Sequence, residues 1–88
     1  MIEHFLWTFH AEERLVERNL NRHEVELAVR LEEGRPNPGA ADWRVSGVCA
    51  NGLSFVVVYD CPVRGDSGTA RIVSIWTIDE PRTGLYPY

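Results

Sequence analysis

The amino-acid sequence predicts an α+β domain: two N-terminal helices packed on a twisted antiparallel sheet of three to four strands. Three observations lead there. Apolar residues recur with helical spacing between Ala11 and Leu31, then alternate with their neighbours from Trp43 onward. Gly34, Pro36 and Pro38 separate the two regimes, and Asn51-Gly52 divides the second with a strong hairpin signal. A chain of 88 residues can bury one modest core, which suits two layers of secondary structure in a single domain spanning 1–88.

Ile2 to Trp7 is apolar on average and reads as either a short edge strand or an irregular lead-in. Thr8 is placed to cap the first helix, with Glu12 and Glu13 in its early turns where the helix dipole favours negative charge. Ala11, Leu15 and Val16 supply its apolar side, and it should end near Asn19. Asn21 caps the second helix, and Glu24 three residues later makes an Asn-headed capping box. Leu20 and Val25 flank that cap as a hydrophobic staple. Val25, Ala28 and Val29 form one apolar row and Leu27 and Leu31 a second, while Glu26, Arg30 and Glu33 take the solvated side. Gly34 is the expected C-terminal cap, and the prolines after it forbid continuation.

Arg35 to Ala41 reads as a loop. The first strand of the meander starts at Trp43 and runs to the Asn51-Gly52 turn. Leu53 to Tyr59 is apolar at nearly every position, as expected of a central strand with both faces covered. Asp60 to Gly68 is a polar, glycine-rich loop, and Ala70 to Ile78 the last strand. The core should span about 5–78, with 79–88 an extended tail whose Tyr86 and Tyr88 suit a docking segment.

Composition narrows the function. At 44% hydrophobic and 25% charged residues the chain is an ordinary globular domain rather than a disordered one. No apolar run approaches the roughly 20 residues that span a bilayer, so no membrane association is expected. The first residues lack a basic segment and a long apolar stretch, so they are not a signal peptide, and a cytoplasmic location is expected. A formal charge of −4 argues against a general nucleic-acid coat protein, which needs a basic surface. All 9 basic residues are arginine; codon usage in a GC-rich genome explains this most simply, although arginine also suits bidentate contacts to phosphate. With Asn51-Gly52 as a two-residue turn, Cys49 faces Ser54 and Cys61 lies about seven residues farther on. At roughly 3.3 Å per residue they are too far apart to bridge, so both should be reduced thiols.

His10, Arg14 and Arg18 fall at steps of four on one side of the first helix. A histidine exchanges protons near neutral pH, and two guanidinium groups can neutralise a phosphoryl group. The same spacing also suits a merely structural row, with Glu13 and Glu17 three residues from His10 and Arg14. Spacing alone favours the structural reading. No metal site is expected, because His4, His10 and His23 match no ligand spacing and the cysteines lie far from them. Arg64-Gly65-Asp66-Ser67-Gly68 lacks a phosphate-loop lysine and reads as a hairpin loop. No nucleophile elbow occurs, and no cofactor is expected. Trp76 and Thr77 end the last strand, where a side chain can face a cleft beside the helices.

The opening T-x-H-A-x-x-R-x-x-x-R (Thr8, His10, Ala11, Arg14, Arg18) is followed by a short turn and a helix opening with Glu24-Val25. A hydrophobic hairpin and a β-branched strand carrying Trp76-Thr77 complete the pattern. Over about residues 5–78 the chain resembles a family of small uncharacterised bacterial domains grouped with the RelE/ParE toxin superfamily and related ribonuclease-like folds. The resemblance implies two helices on a twisted antiparallel sheet. It also implies either metal-independent RNA cleavage, as an endoribonuclease, or ribosome- or gyrase-directed binding. His10 would be the acid/base, Arg14 and Arg18 would stabilise the phosphoryl charge, and Thr77 would complete the catalytic set.

Two functions of different kinds are therefore expected to compete. One is a RelE/ParE toxin-like domain that cleaves or binds RNA or the ribosome and pairs with an antitoxin-like protein. The other is a non-catalytic interaction module or homodimer that uses Trp43, Trp76 and the tail, or pairs through strand edges at 42–49 or 70–78.

Overall fold

The computed structural model describes residues 2–31, 34–39, 41–61 and 68–78. In chain order these form strand β1 (His4–Trp7), helices α1 (Phe9–Glu17) and α2 (Arg22–Leu31), and strands β2 (Arg35–Pro36), β3 (Trp43–Val48), β4 (Ser54–Asp60) and β5 (Thr69–Thr77). The expected tail at 79–88, loop residues 62–67, and the residues on which a Gly34 helix cap would rest lie outside the described residues.

Both helices begin where the sequence predicts. Thr8 Oγ1 accepts the Ala11 backbone N–H at 3.2 Å and caps α1. The helix closes at Asn19, whose φ of 55° is left-handed. Leu20 N–H returns to the Leu15 carbonyl and Asn19 N–H to that of Val16, a Schellman closure, and Leu15 and Leu20 are buried in the same core. Asn21 Oδ1 accepts the Glu24 N–H at 3.0 Å and starts α2. The expected capping box is only half made, because Glu24 Oε2 accepts the Ala50 N–H at 2.6 Å and ties α2 to the turn after β3.

The two helices share one core with one face of the sheet. Ala11 and Leu15 of α1 and Val25 and Val29 of α2 pack with Val45, Phe55, Val57, Tyr59, Ala70, Ile72 and Ile75. Each apolar stripe is narrower than the sequence suggests: Val16 is 79% and Leu31 is 73% exposed. Helical rotation of about 100° per residue carries Val16 past Leu15 and off the sheet, and two such steps do the same to Leu31 after Val29. Arg30 is exposed, as expected, and its side chain lies over the Phe5 ring at 5.4 Å and donates from Nε to the Ile2 carbonyl at 3.1 Å.

The expectation of an antiparallel sheet of three to four strands is corrected. The sheet is mixed and five-stranded, in the order β1-β5-β4-β3-β2. β1 pairs in parallel with β5, Phe5 opposite Ala70 and Trp7 opposite Ile72, and the other three pairings are antiparallel. Alternation of apolar residues reports the face a side chain takes, not the direction of the neighbouring strand. The helices carry the chain from β1 to the opposite edge, and three reversals return β5 beside β1 in the same direction. The fifth strand is β2, two residues inside the Pro- and Gly-rich stretch that reads as loop. Pro36 has no N–H to donate and is tolerated because β2 is an outer strand. β2 covers only Trp43 and Arg44 of β3, and β1 covers only Thr69 to Ile72 of β5, so the remainder of each strand is paired on one side only among the described residues.

β4 is central, as its apolar run predicts, with Val57 and Val58 fully buried. The hairpin before it is one residue longer than expected. Cys49 N–H donates to the Leu53 carbonyl and Gly52 N–H to that of Cys49, so Ala50, Asn51 and Gly52 make the turn, Gly52 at φ 90°. Val48, not Cys49, therefore stands opposite Ser54. Both cysteines are free thiols.

Candidate functional site

The site is assembled where α1 starts beside an irregularity in β5. Val58 pairs with Ser74 while Tyr59 pairs with Ile72, so β5 carries one extra residue, Val73, and forms a bulge. Thr8 binds that bulge directly. Its N–H donates to the Ile72 carbonyl at 3.1 Å. Its single hydroxyl proton is shared between the Ile72 carbonyl at 2.9 Å and the Val73 carbonyl at 3.0 Å. The same oxygen caps α1. One side chain thus fixes both the start of the helix and its position on the strand.

Two residues further on, His10 Nε2 lies 3.1 Å from Ser74 Oγ. Which of the two donates depends on the imidazole tautomer. Ser74 is 2% exposed, and a buried hydroxyl requires a partner; His10 supplies it. Ser74 takes the register of Val58, which is fully buried yet lies outside the shared core cluster. By alternation these two side chains belong to the face away from the helices. The bulge re-aims Ser74 toward the strand edge, where β1 has ended and α1 begins, and His10 meets it there.

Arg14 and Arg18 continue the row from His10 along α1. Arg14 Nη1 lies 3.7 Å from Glu17 Oε2, with side chains 37% and 52% exposed. An ion pair that loose and wet contributes well under about 1 kcal/mol and leaves the guanidinium able to exchange partners. Arg18 is half-buried at the C-cap of α1. Thr77 is 6% exposed and stands opposite Phe55, three residues beyond Ser74. His10, Arg14 and Arg18 therefore share one flank of α1, and the hydroxyl that meets His10 is Ser74 rather than Thr77. The sequence does hold a signal for Ser74: it is the one polar residue in Ile72-Val73-Ser74-Ile75, an otherwise apolar run entering the core.

The rest of α1 is wired to its neighbours. Arg22 lies over the Trp7 ring at 4.7 Å and binds Glu12 at 3.1 Å, and Trp7 Nε1 donates to Glu26 at 2.8 Å. This network joins β1, α1 and α2. Arg71 pairs with Asp60 across β4 and β5.

A second cationic feature escaped the sequence reading. Arg35 and Arg44 stand directly opposite each other across β2 and β3, and both are exposed. Among the described residues neither makes an ion pair. Like charges placed opposite across strands repel. Arg44→Glu should therefore raise the urea midpoint, corresponding to roughly 0.2–1 kcal/mol of added stability; a lowered midpoint would show that the arginine pair is held by contacts other than charge.

Cavities bordered by described residues lie away from the row. One, of about 260 Å³, is lined by Leu27, Ala28, Leu31, Gly47, Val48 and Phe55, with Glu24 at its rim. Another is lined by Ile2, Gly34, Trp43, Tyr59 and Cys61. No group of three or more potential metal ligands occurs among the described residues, and no helix there is long and apolar enough to cross a membrane. Comparison of the chain with protein-family models, curated proteins and solved structures finds no match in any of the three.

Proposed function

We propose that this chain is a RelE/ParE-like domain that binds single-stranded RNA along the His10 flank of α1, with His10 as the proton-transfer group for cleavage of the bound strand. The observation that carries this reading is the His10–Ser74 contact at 3.1 Å, held by a cap that also binds the bulge. The contact satisfies the buried Ser74 hydroxyl and also fixes the imidazole, and a proton-transfer group needs a fixed position. His10, Arg14 and Arg18 are each half-buried along the helix, and a polymer laid along α1 reaches Arg14 and Arg18 in sequence. Their guanidinium groups contact the phosphoryl oxygens. Cleavage then requires no metal. The 2′-hydroxyl attacks the adjacent phosphorus and gives its proton to His10. The P–O5′ bond breaks, the leaving oxygen takes a proton from water, and a 2′,3′-cyclic phosphate remains.

The test is incubation of a fluorescent single-stranded RNA with wild-type protein and with His10→Ala and Arg14→Ala, in the presence of a chelator. Cyclic-phosphate products that vanish in His10→Ala, with binding retained, are expected. Equal cleavage by all three proteins would remove His10 from the mechanism, and absence of cleavage by the wild type would leave α1 as a binding surface only.

A second reading rests on its own observation. Phe9 is 78% and Val16 is 79% exposed, and they lie two helical turns apart on α1. Exposed apolar residues so spaced suit a protein partner of the antitoxin type, docking against the same helix. Phe9→Ser with Val16→Ser should leave stability unchanged and abolish capture of that partner; unchanged capture would assign the partner to another surface.

A further inference from the structure

We infer that the cavity bordered by Trp43, Tyr59, Cys61, Gly34 and Ile2 is a binding site for a small, uncharged, planar ring compound that presents a hydrogen-bond acceptor. The site lies at the β2–β3 end of the sheet and does not depend on the reading of α1. Its volume is about 280 Å³, near the lower end of the roughly 300–1,000 Å³ usual for ligand sites. The lining sets the chemistry. Trp43 and Tyr59 stand opposite each other across β3 and β4 and give two aromatic surfaces, which favour a flat ring over a branched aliphatic one. Among the described residues the lining carries no charged side chain, which favours an uncharged ligand.

The polar group at the site is the Tyr59 hydroxyl. Tyr59 is 5% exposed as a residue; its hydroxyl is the accessible tip that borders the cavity, and among the described residues it has no hydrogen-bond partner. The other polar groups are engaged: Trp43 Nε1 donates to the Cys61 carbonyl at 3.1 Å, which also fixes the indole plane. Burial, with Cys61 adding to it, raises the Tyr59 phenol above its ordinary value, and burial raises the Cys61 thiol as well. The phenol therefore remains a donor, and the thiol stays protonated and takes no covalent part. Gly34 closes the wall at the hydroxyl. A side-chain carbon there would sit 2.3 Å from the Tyr59 oxygen and 3.2 Å from Cζ, so glycine leaves the hydroxyl its access. A donor that borders the cavity with no protein partner is placed to meet an acceptor on a bound molecule. A ring carbonyl or ring nitrogen on a flat compound laid against the two aromatic side chains supplies that acceptor.

The test is titration of the ¹⁵N-labelled full chain with nicotinamide, adenine and uracil, with cyclohexanecarboxamide as a non-planar control bearing the same acceptor as nicotinamide. The inference expects saturable shifts of the Trp43 indole N–H and of the Gly34 and Cys61 amides with at least one planar probe. It expects at least fivefold weaker binding by Tyr59→Phe, which keeps the ring and removes only the donor. Gly34→Ala should abolish binding by filling the wall, and the control should not bind. Absence of shifts with every planar probe, equal affinity in Tyr59→Phe, or equally tight binding of cyclohexanecarboxamide would overturn it. Because Tyr59→Phe removes a group with no protein partner, its melting temperature should match or exceed that of the wild type, which keeps the comparison interpretable.

Discussion

Phe55→Ala is expected to lower the unfolding free energy by about 3–5 kcal/mol, the larger of the two main effects foreseen for this chain. Phe55 is 1% exposed at the start of β4, opposite Gly47 on β3 and Thr77 on β5. Its ring fills the space under α2 that Gly47 leaves open. A carbon added at Gly47 would lie 2.6 Å from Phe55 Cζ and 3.3 Å from Ala28 Cβ. Ring and glycine are therefore two halves of one fit between helix and sheet. Removing the ring loses its buried area and leaves a cavity that α2 can fill only by moving. The converse error is smaller: Gly47→Ala overpacks the same space and should cost about 1–3 kcal/mol. Combining Gly47→Ala with Phe55→Leu should recover part of that loss, because the smaller side chain yields the room. Urea denaturation of the set measures all three. Strict additivity of the two substitutions would mean that the helix, not the ring, limits the approach at Gly47.

Thr8→Ala is expected to destabilise the protein by about 2 kcal/mol, the sum of a lost helix cap and a lost side-chain hydrogen bond. For a domain of this size that lowers the melting temperature by about 10 °C. The hydroxyl accepts from Ala11 N–H and donates to the bulge carbonyls of Ile72 and Val73, so both ends of the contact are left unsatisfied together. Thr8→Ser keeps the oxygen and should cost less than half as much. The functional consequence is separable from the loss of stability. With the tie cut, His10 is no longer held against Ser74, and its ring resonances should broaden or shift at temperatures where Thr8→Ala is still folded. Unchanged His10 resonances in the folded variant would show that Ser74 alone holds the imidazole.

The parts of the fold that could be read in the sequence are those set by local chemistry. Thr8 and Asn21 cap their helices through the oxygens their side chains carry, and Leu15 with Leu20 closes α1 through contacts a few residues apart. The uninterrupted apolar run of β4 identified the central strand for the same reason. What escaped depends on partners distant in sequence. The parallel pairing of β1 with β5 joins residues more than sixty positions apart, and nothing in Phe5-Leu6-Trp7 signals which strand it meets. Glu24 looked like half of a capping box, but Ala50 N–H competes for its carboxylate once the β3–β4 turn folds beside it. Val16 and Leu31 have the composition of core residues and the helical phase of surface ones. In the site, the row of His10, Arg14 and Arg18 follows from helical spacing. Its counterpart Ser74 depends on a bulge, which is a property of two strands in register and not of either one alone.

The claim that α1 presents a phosphate-binding flank is tested most directly by the salt dependence of affinity for a single-stranded RNA oligonucleotide, measured by fluorescence anisotropy. Each phosphate contact contributes roughly 0.7 to the slope of log K against log salt on a single strand. Arg14→Ala with Arg18→Ala should therefore reduce the slope by about 1.4, whereas Arg30→Ala, on the far helix, should leave it unchanged. A double variant that binds with the wild-type slope, or a wild-type protein whose affinity does not change with salt, would contradict the account.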